Sequence, residues 1–150
     1  MSTILILDPI NALIQHLTNG KTANYSTVKT IAVYAGQLSD ALKRNNIVKM
    51  RDLVPAVYVL LINSEPVSFD PEHIIDLLVV TESRSFDQLD KHTDAITICG
   101  QIVNYFELNR GWTYNGVPYL IDESVLKVDT LTVDDRYSVF AIHLRITEKL

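Results

Sequence analysis

The side chains that could carry acid–base, metal or nucleophilic chemistry are four histidines, one cysteine and a few paired acids. A metal site needs several converging ligands, whereas His16, His73, His92 and His143 are scattered along the chain. Only Asp90-Lys91-His92 with Asp94 approaches a ligand pattern, and it lacks a second histidine or cysteine at site-like spacing. These read as solvated helix-face residues, and no metal is predicted. Cys99 lies in the apolar stretch Ala95-Ile96-Thr97-Ile98-Cys99 with no base beside it, so it reads as a small buried hydrophobe rather than a nucleophile. Asp122-Glu123 and Asp134-Asp135 are sequential pairs whose side chains diverge, unlike the convergent acids of a glycosidase, and they read as turn residues. His143 alternates with Ile142 and Leu144 and is expected on the half-exposed strand face opposite Phe140.

Phosphate chemistry has little support. Five glycines place neither a dinucleotide fingerprint nor a Walker loop, and no cofactor is predicted. Lys43, Arg44, Lys49 and Arg51 form the one basic concentration. It reads as a solvated turn, with contact to a phosphate backbone or an acidic partner subunit as the alternative. Arg110, Trp112 and Tyr114 stand apart, because aromatics beside an arginine are the residue types that anchor protein interfaces. Two readings stay open: an interface anchor, or aromatics that cap their own core.

These residues must be placed by elements that the pattern outlines. Asp8-Pro9 begins a helix in which Ile10, Leu13, Ile14 and Leu17 recur until Asn19-Gly20. Thr27 to Tyr34 alternates as a first strand, and Leu38, Ala41 and Leu42 suit a short helix. Val57 to Ile62 is a continuous apolar run, the pattern of a strand covered on both faces, and His73 to Glu82 supplies an antiparallel neighbour. Gln88 to Asn109 predicts the main helix, with Leu89, Ile96, Val103 and Phe106 near one face and Ile98, Ile102 and Tyr105 widening it. Asn115-Gly116 marks a turn between Trp112-Thr113-Tyr114 and Val117 to Ile121. Val125 to Val133 and Tyr137 to Thr147 predict a C-terminal hairpin whose second arm is an edge strand in need of a partner or guard. The sum is an α+β fold: a mainly antiparallel sheet packed by an N-terminal helix and one long central helix.

Composition bounds the rest. The 150 residues form one domain, residues 1–150, and 47% hydrophobic against 21% charged residues is a globular balance. The net charge of −5 disfavours a nucleic-acid-binding regulator, and the acidic excess lies in the half from Asp76 to Leu150. A lone cysteine, the short apolar segment Ile4 to Leu7 and no run of membrane-spanning length predict a soluble chain that folds in a reducing cytoplasm.

Tyr34-Ala35-Gly36-Gln37-Leu38, then Leu53-Val54-Pro55-Ala56-Val57-Tyr58-Val59, then a strand, a long helix and a C-terminal hairpin resemble the Mu-like phage tail proteins associated with tail termination. By element order the resemblance spans about Thr27 to Thr147, with its sharp matches in the first half. Gln37 stands where the family commonly has an acid, and Tyr58 where it commonly has tryptophan.

The resemblance implies a non-enzymatic virion tail protein, assembled in the host cytoplasm as a homo-oligomeric ring of six. That ring would seat on the tail tube, end tube and sheath polymerisation and present a surface to the head-tail connector. DNA would pass only as genome, and no membrane is involved. Arg110, Trp112, Tyr114, Tyr34 and Gln37 are the expected subunit or tube contacts. The alternatives are another neck or tail-completion subunit of the same particle and, from a different class, a small hydrolase or ligand-binding protein.

Overall fold

The computed structural model describes residues 7–34, 53–65, 70–82, 93–127 and 137–149. They build two helices and a six-stranded sheet, with elements in the order α1 (Leu7–Asn24), β1 (Thr30–Val33), β2 (Ala56–Glu65), β3 (Glu72–Glu82), α2 (Thr93–Leu108), β4 (Gly111–Tyr114), β5 (Val117–Lys127) and β6 (Tyr137–Glu148). Across the sheet the order is β1-β2-β3-β6-β5-β4. The class is α+β, as the pattern predicts, but two details differ. β1 pairs parallel with β2, so the sheet is mixed, and β2 to β6 pair antiparallel through β3 while β4 and β5 close the far side. No long central helix dominates either: α2 has 16 residues and α1 has 18.

Both helices cover one face of the sheet. Ile10, Leu13 and Leu17 of α1 and Ala95, Ile98, Cys99, Ile102 and Phe106 of α2 bury against Val57, Val59, Ile75, Leu77, Val79, Phe140, Ile142, Leu144 and Ile146. In α2 the buried stripe therefore starts at Ala95 and steps by three and four residues, which turns Ile96 outward to half exposure rather than inward as expected. Leu89 and the start of the expected helix lie outside the described residues, as do the helix expected around Leu38, Ala41 and Leu42 and the basic group Lys43, Arg44, Lys49 and Arg51.

Gly20 does not end α1. The helix continues to Asn24, and a Cβ at Gly20 would lie 2.5–2.8 Å from the ring carbons of Tyr105, so the glycine is a packing slot for an aromatic of α2. The Asn115-Gly116 turn is as expected: both residues have positive φ, 49° and 78°, the combination that a two-residue hairpin requires.

The C-terminal arm is not an edge. β6 lies between β3 and β5, with Val79↔Phe140 and Leu126↔Ile142 among its pairs, so both of its ladders are filled. The expected first arm beyond Lys127 lies outside the described residues. A second buried cluster, with Val54, Ala56, Tyr58, Leu78, Val80, Tyr137, Val139 and Ala141, occupies part of the sheet face opposite the helices. No helix among the described residues is long and apolar enough to cross a membrane.

Candidate functional site

Two β-bulges concentrate polar chemistry at one end of the sheet. In β2, Leu61 pairs with Ile75 but Asn63 pairs with Ile74, so Ile62 is an extra residue. In β5, Ile121 pairs with Ile146 but Glu123 pairs with Arg145, so Asp122 is the extra residue. Side chains alternate strictly along a regular strand, and one inserted residue moves everything beyond it to the other face. Val57, Val59 and Leu61 face the helices. Without the bulge Asn63 would follow them; with it, Ser64 takes that face, directly opposite His73.

His73 consequently has a partner at each ring nitrogen. Its Nδ1 lies 2.7 Å from Ser64 Oγ, and its Nε2 lies 2.9 Å from Glu148 Oε1. A carboxylate only accepts, so in the neutral imidazole Nε2 carries the proton and Nδ1 accepts from the Ser64 hydroxyl. Each of His73 and Glu148 has only 3% of its side chain exposed, while Ser64 is partly exposed. Glu148 is fixed from behind by its own backbone N–H, which donates to Pro71 O at 2.9 Å. It also lies opposite Tyr119 of β5. Burial, then the charges of Glu148 and Asp8, push the Tyr119 phenol above its ordinary range, so it stays protonated.

The other face of the same strand ends carries charged rows. His143 Nδ1 donates to Asp76 Oδ1 at 2.6 Å. Arg145 reaches Glu72 at 3.4 Å and Glu123 at 3.3 Å, and Thr147 Oγ1 donates to Asp122 Oδ2. Asp122 and Glu123 are therefore strand residues at a bulge and not turn residues. His143 is partly exposed on the face away from Phe140, where the alternation predicts it. Asp134 and Asp135 lie outside the described residues.

His16 occupies a third setting. Its ring is buried and stacks on Trp112 at 4.2 Å between centroids, with Phe106 parallel at 5.9 Å. Its Nε2–H donates to Asn109 O at 2.7 Å. Burial lowers its pKa despite that bond, because charging the ring there would cost its hydration.

The expected contact residues disperse. Trp112 donates from Nε1 to Ala12 O at 3.0 Å and stacks on Tyr119 as well as His16, so it caps its own core. Tyr114 is half-buried on the same side of the ribbon. Arg110 is exposed and bonds Glu107 at 2.6 Å, a surface pair that contributes little to stability. Tyr34 meets Tyr58 edge-on at 6.4 Å, and Gln37 lies outside the described residues.

Cys99 is buried and its thiol is pushed up to about 12 by desolvation, the setting of an inert core residue. His92, Asp90 and Lys91 lie outside the described residues, and Asp94 is exposed at the start of α2. Among the described residues no group of three or more His, Cys, Asp and Glu is placed to hold a metal ion. A hollow of about 280 Å³ at the other end of the sheet is lined by Thr27, Lys29, Val54, Pro55, Thr81, Glu82 and Asp94, away from the Ser64 chain.

Sequence reasoning missed Ser64 and Glu148. The Ser64–His73 pair had a faint signal, two polar residues flanking a loop between apolar strands; Glu148 had none, being 75 residues from its partner. No protein-family model matches the chain, and comparison with curated proteins finds no match.

Proposed function

We propose that this chain is a structural subunit of a contractile-type phage tail or related injection particle, forming a closed ring of six that caps the tail tube and sheath and receives the head connector. The observation that carries this reading is the contact of Tyr34, the first residue of one segment of the resemblance, with the strand that holds the other: Tyr34 N–H donates to Val59 O at 2.9 Å, and the Tyr34 ring meets that of Tyr58 edge-on.

Charge supports the same role. Among the described residues at the bulged end of the sheet, Glu72, Asp122 and Glu123 outnumber Arg145 on the face away from the helices, and a negative surface keeps passing DNA from adhering. The ring would close through heterologous contacts, each copy offering one surface to the next. Arg110, exposed beside the β4–β5 ribbon, belongs to that contact.

Native mass spectrometry and negative-stain imaging, with and without tail tubes, test the proposal. Rings of six, alone or seated on tube ends, are expected; a protein that stays monomeric or two-fold dimeric with tubes present overturns it. Arg110→Glu should reduce ring formation while leaving the melting temperature unchanged. Trp112→Ala should instead lower the stability of the monomer by about 3 kcal/mol, since it removes a packed indole from its own core.

A further inference from the structure

We propose that Ser64 is an activated nucleophile that reacts with small electrophilic carboxylic esters and with phosphoryl reagents, with His73 as its general base and Glu148 as the residue that positions the imidazole. This goes beyond the ring role, which neither needs the reactivity nor excludes it.

Three observations converge. The wiring is directional: His73 Nε2–H donates to Glu148, which leaves the Nδ1 lone pair 2.7 Å from the Ser64 hydroxyl. The exposure is graded, with a partly exposed serine in front of a base and an acid that are almost wholly enclosed. A base shielded from water on every side but one keeps its lone pair for the group in front of it. Finally, Ser64 faces His73 only because Ile62 is inserted in β2, an interruption of the ladder of the kind found next to active sites.

The chemistry balances without any added oxidant or cofactor. Ser64 Oγ bonds to the ester carbonyl carbon as its proton passes to His73 Nδ1, and Glu148 holds the imidazolium through Nε2–H. Collapse breaks the carbon–oxygen bond of the leaving group, which departs with that proton. Water then attacks the acyl-serine, gives a proton to Nδ1, and Ser64 leaves as the hydroxyl, reprotonated by His73.

The test uses the intact chain and a fluorophosphonate, whose phosphorus–fluorine bond breaks as the phosphorus–Ser64 Oγ bond forms. Intact mass and peptide mapping should find one adduct, on Ser64, in the native protein, and none in Ser64→Ala. In His73→Gln the labelling rate should drop by about 100-fold, the low end of general-base assistance. If His73→Gln does not fold, native and urea-unfolded wild type are compared, and labelling confined to the native state supports the proposal. No adduct on Ser64, an equal rate in folded His73→Gln, or an equal rate in the unfolded chain overturns it. Tube-end binding by Ser64→Ala separates the two proposals, since ring assembly is expected to survive that substitution.

Discussion

Strands β3 and β6 carry the same pair of residue types twice, once on each face. His73 and Glu148 lie on the helix side, 2.9 Å apart with 3% of each side chain exposed. His143 and Asp76 lie on the other side, 2.6 Å apart with 35% and 11% exposed. Distance would rank the second pair stronger. Environment reverses the order, because water screens a half-open pair and leaves His143 a good alternative, whereas an enclosed group that loses its partner has none. The enclosed pair is therefore the one that can lock a tautomer and the one whose disruption is costly.

The largest effect is expected of Glu148→Ala. Removing the acceptor leaves the enclosed Nε2–H of His73 unpaired and should destabilise the fold by about 1–3 kcal/mol, read from urea unfolding at neutral pH. A loss under about 1 kcal/mol, the range of exposed pairs, would mean that the enclosure is not felt.

His16, enclosed without a carboxylate, responds to pH. Its pKa is lowered from the ordinary 6.5 by burial, so below that value the unfolded chain binds a proton that the folded chain resists. Stability contributed by the neutral ring is present above pH 6.5 and is lost as pH falls towards the lowered folded value, with a slope of at most about 1.4 kcal/mol per pH unit. His16→Gln should remove this component of the slope between pH 6.5 and 5, measured by melting at a series of pH values.

The smallest effect belongs to the open pair. His143→Gln should change stability by less than about 1 kcal/mol, and 0.5 M salt should shrink the difference further. A change as large as that of Glu148→Ala would show that exposure does not separate the two faces.

Much of this architecture was legible in local pattern. Asn115-Gly116 specifies its own turn because only certain residues tolerate positive φ at both positions. The alternation of Phe140, Ile142, Leu144 and Ile146 sorts β6 into two faces whatever lies beside it. Cys99 within an apolar helix had no alternative to the core. Gly20 misled, since the same residue that ends helices also makes room for a ring, and only the position of Tyr105 distinguishes the two uses.

What the chain by itself determined was thus which residues are strands, helices and core, because propensity and periodicity act over a few neighbours. Which polar groups meet was decided by tertiary structure. A single inserted residue at Ile62 chooses the face of Ser64, and the pairing of β3 with β6 brings Glu148 to His73 across 75 residues. Hydrogen bonds of a few ångströms depend on register, and register is set by how whole strands bury their apolar sides together.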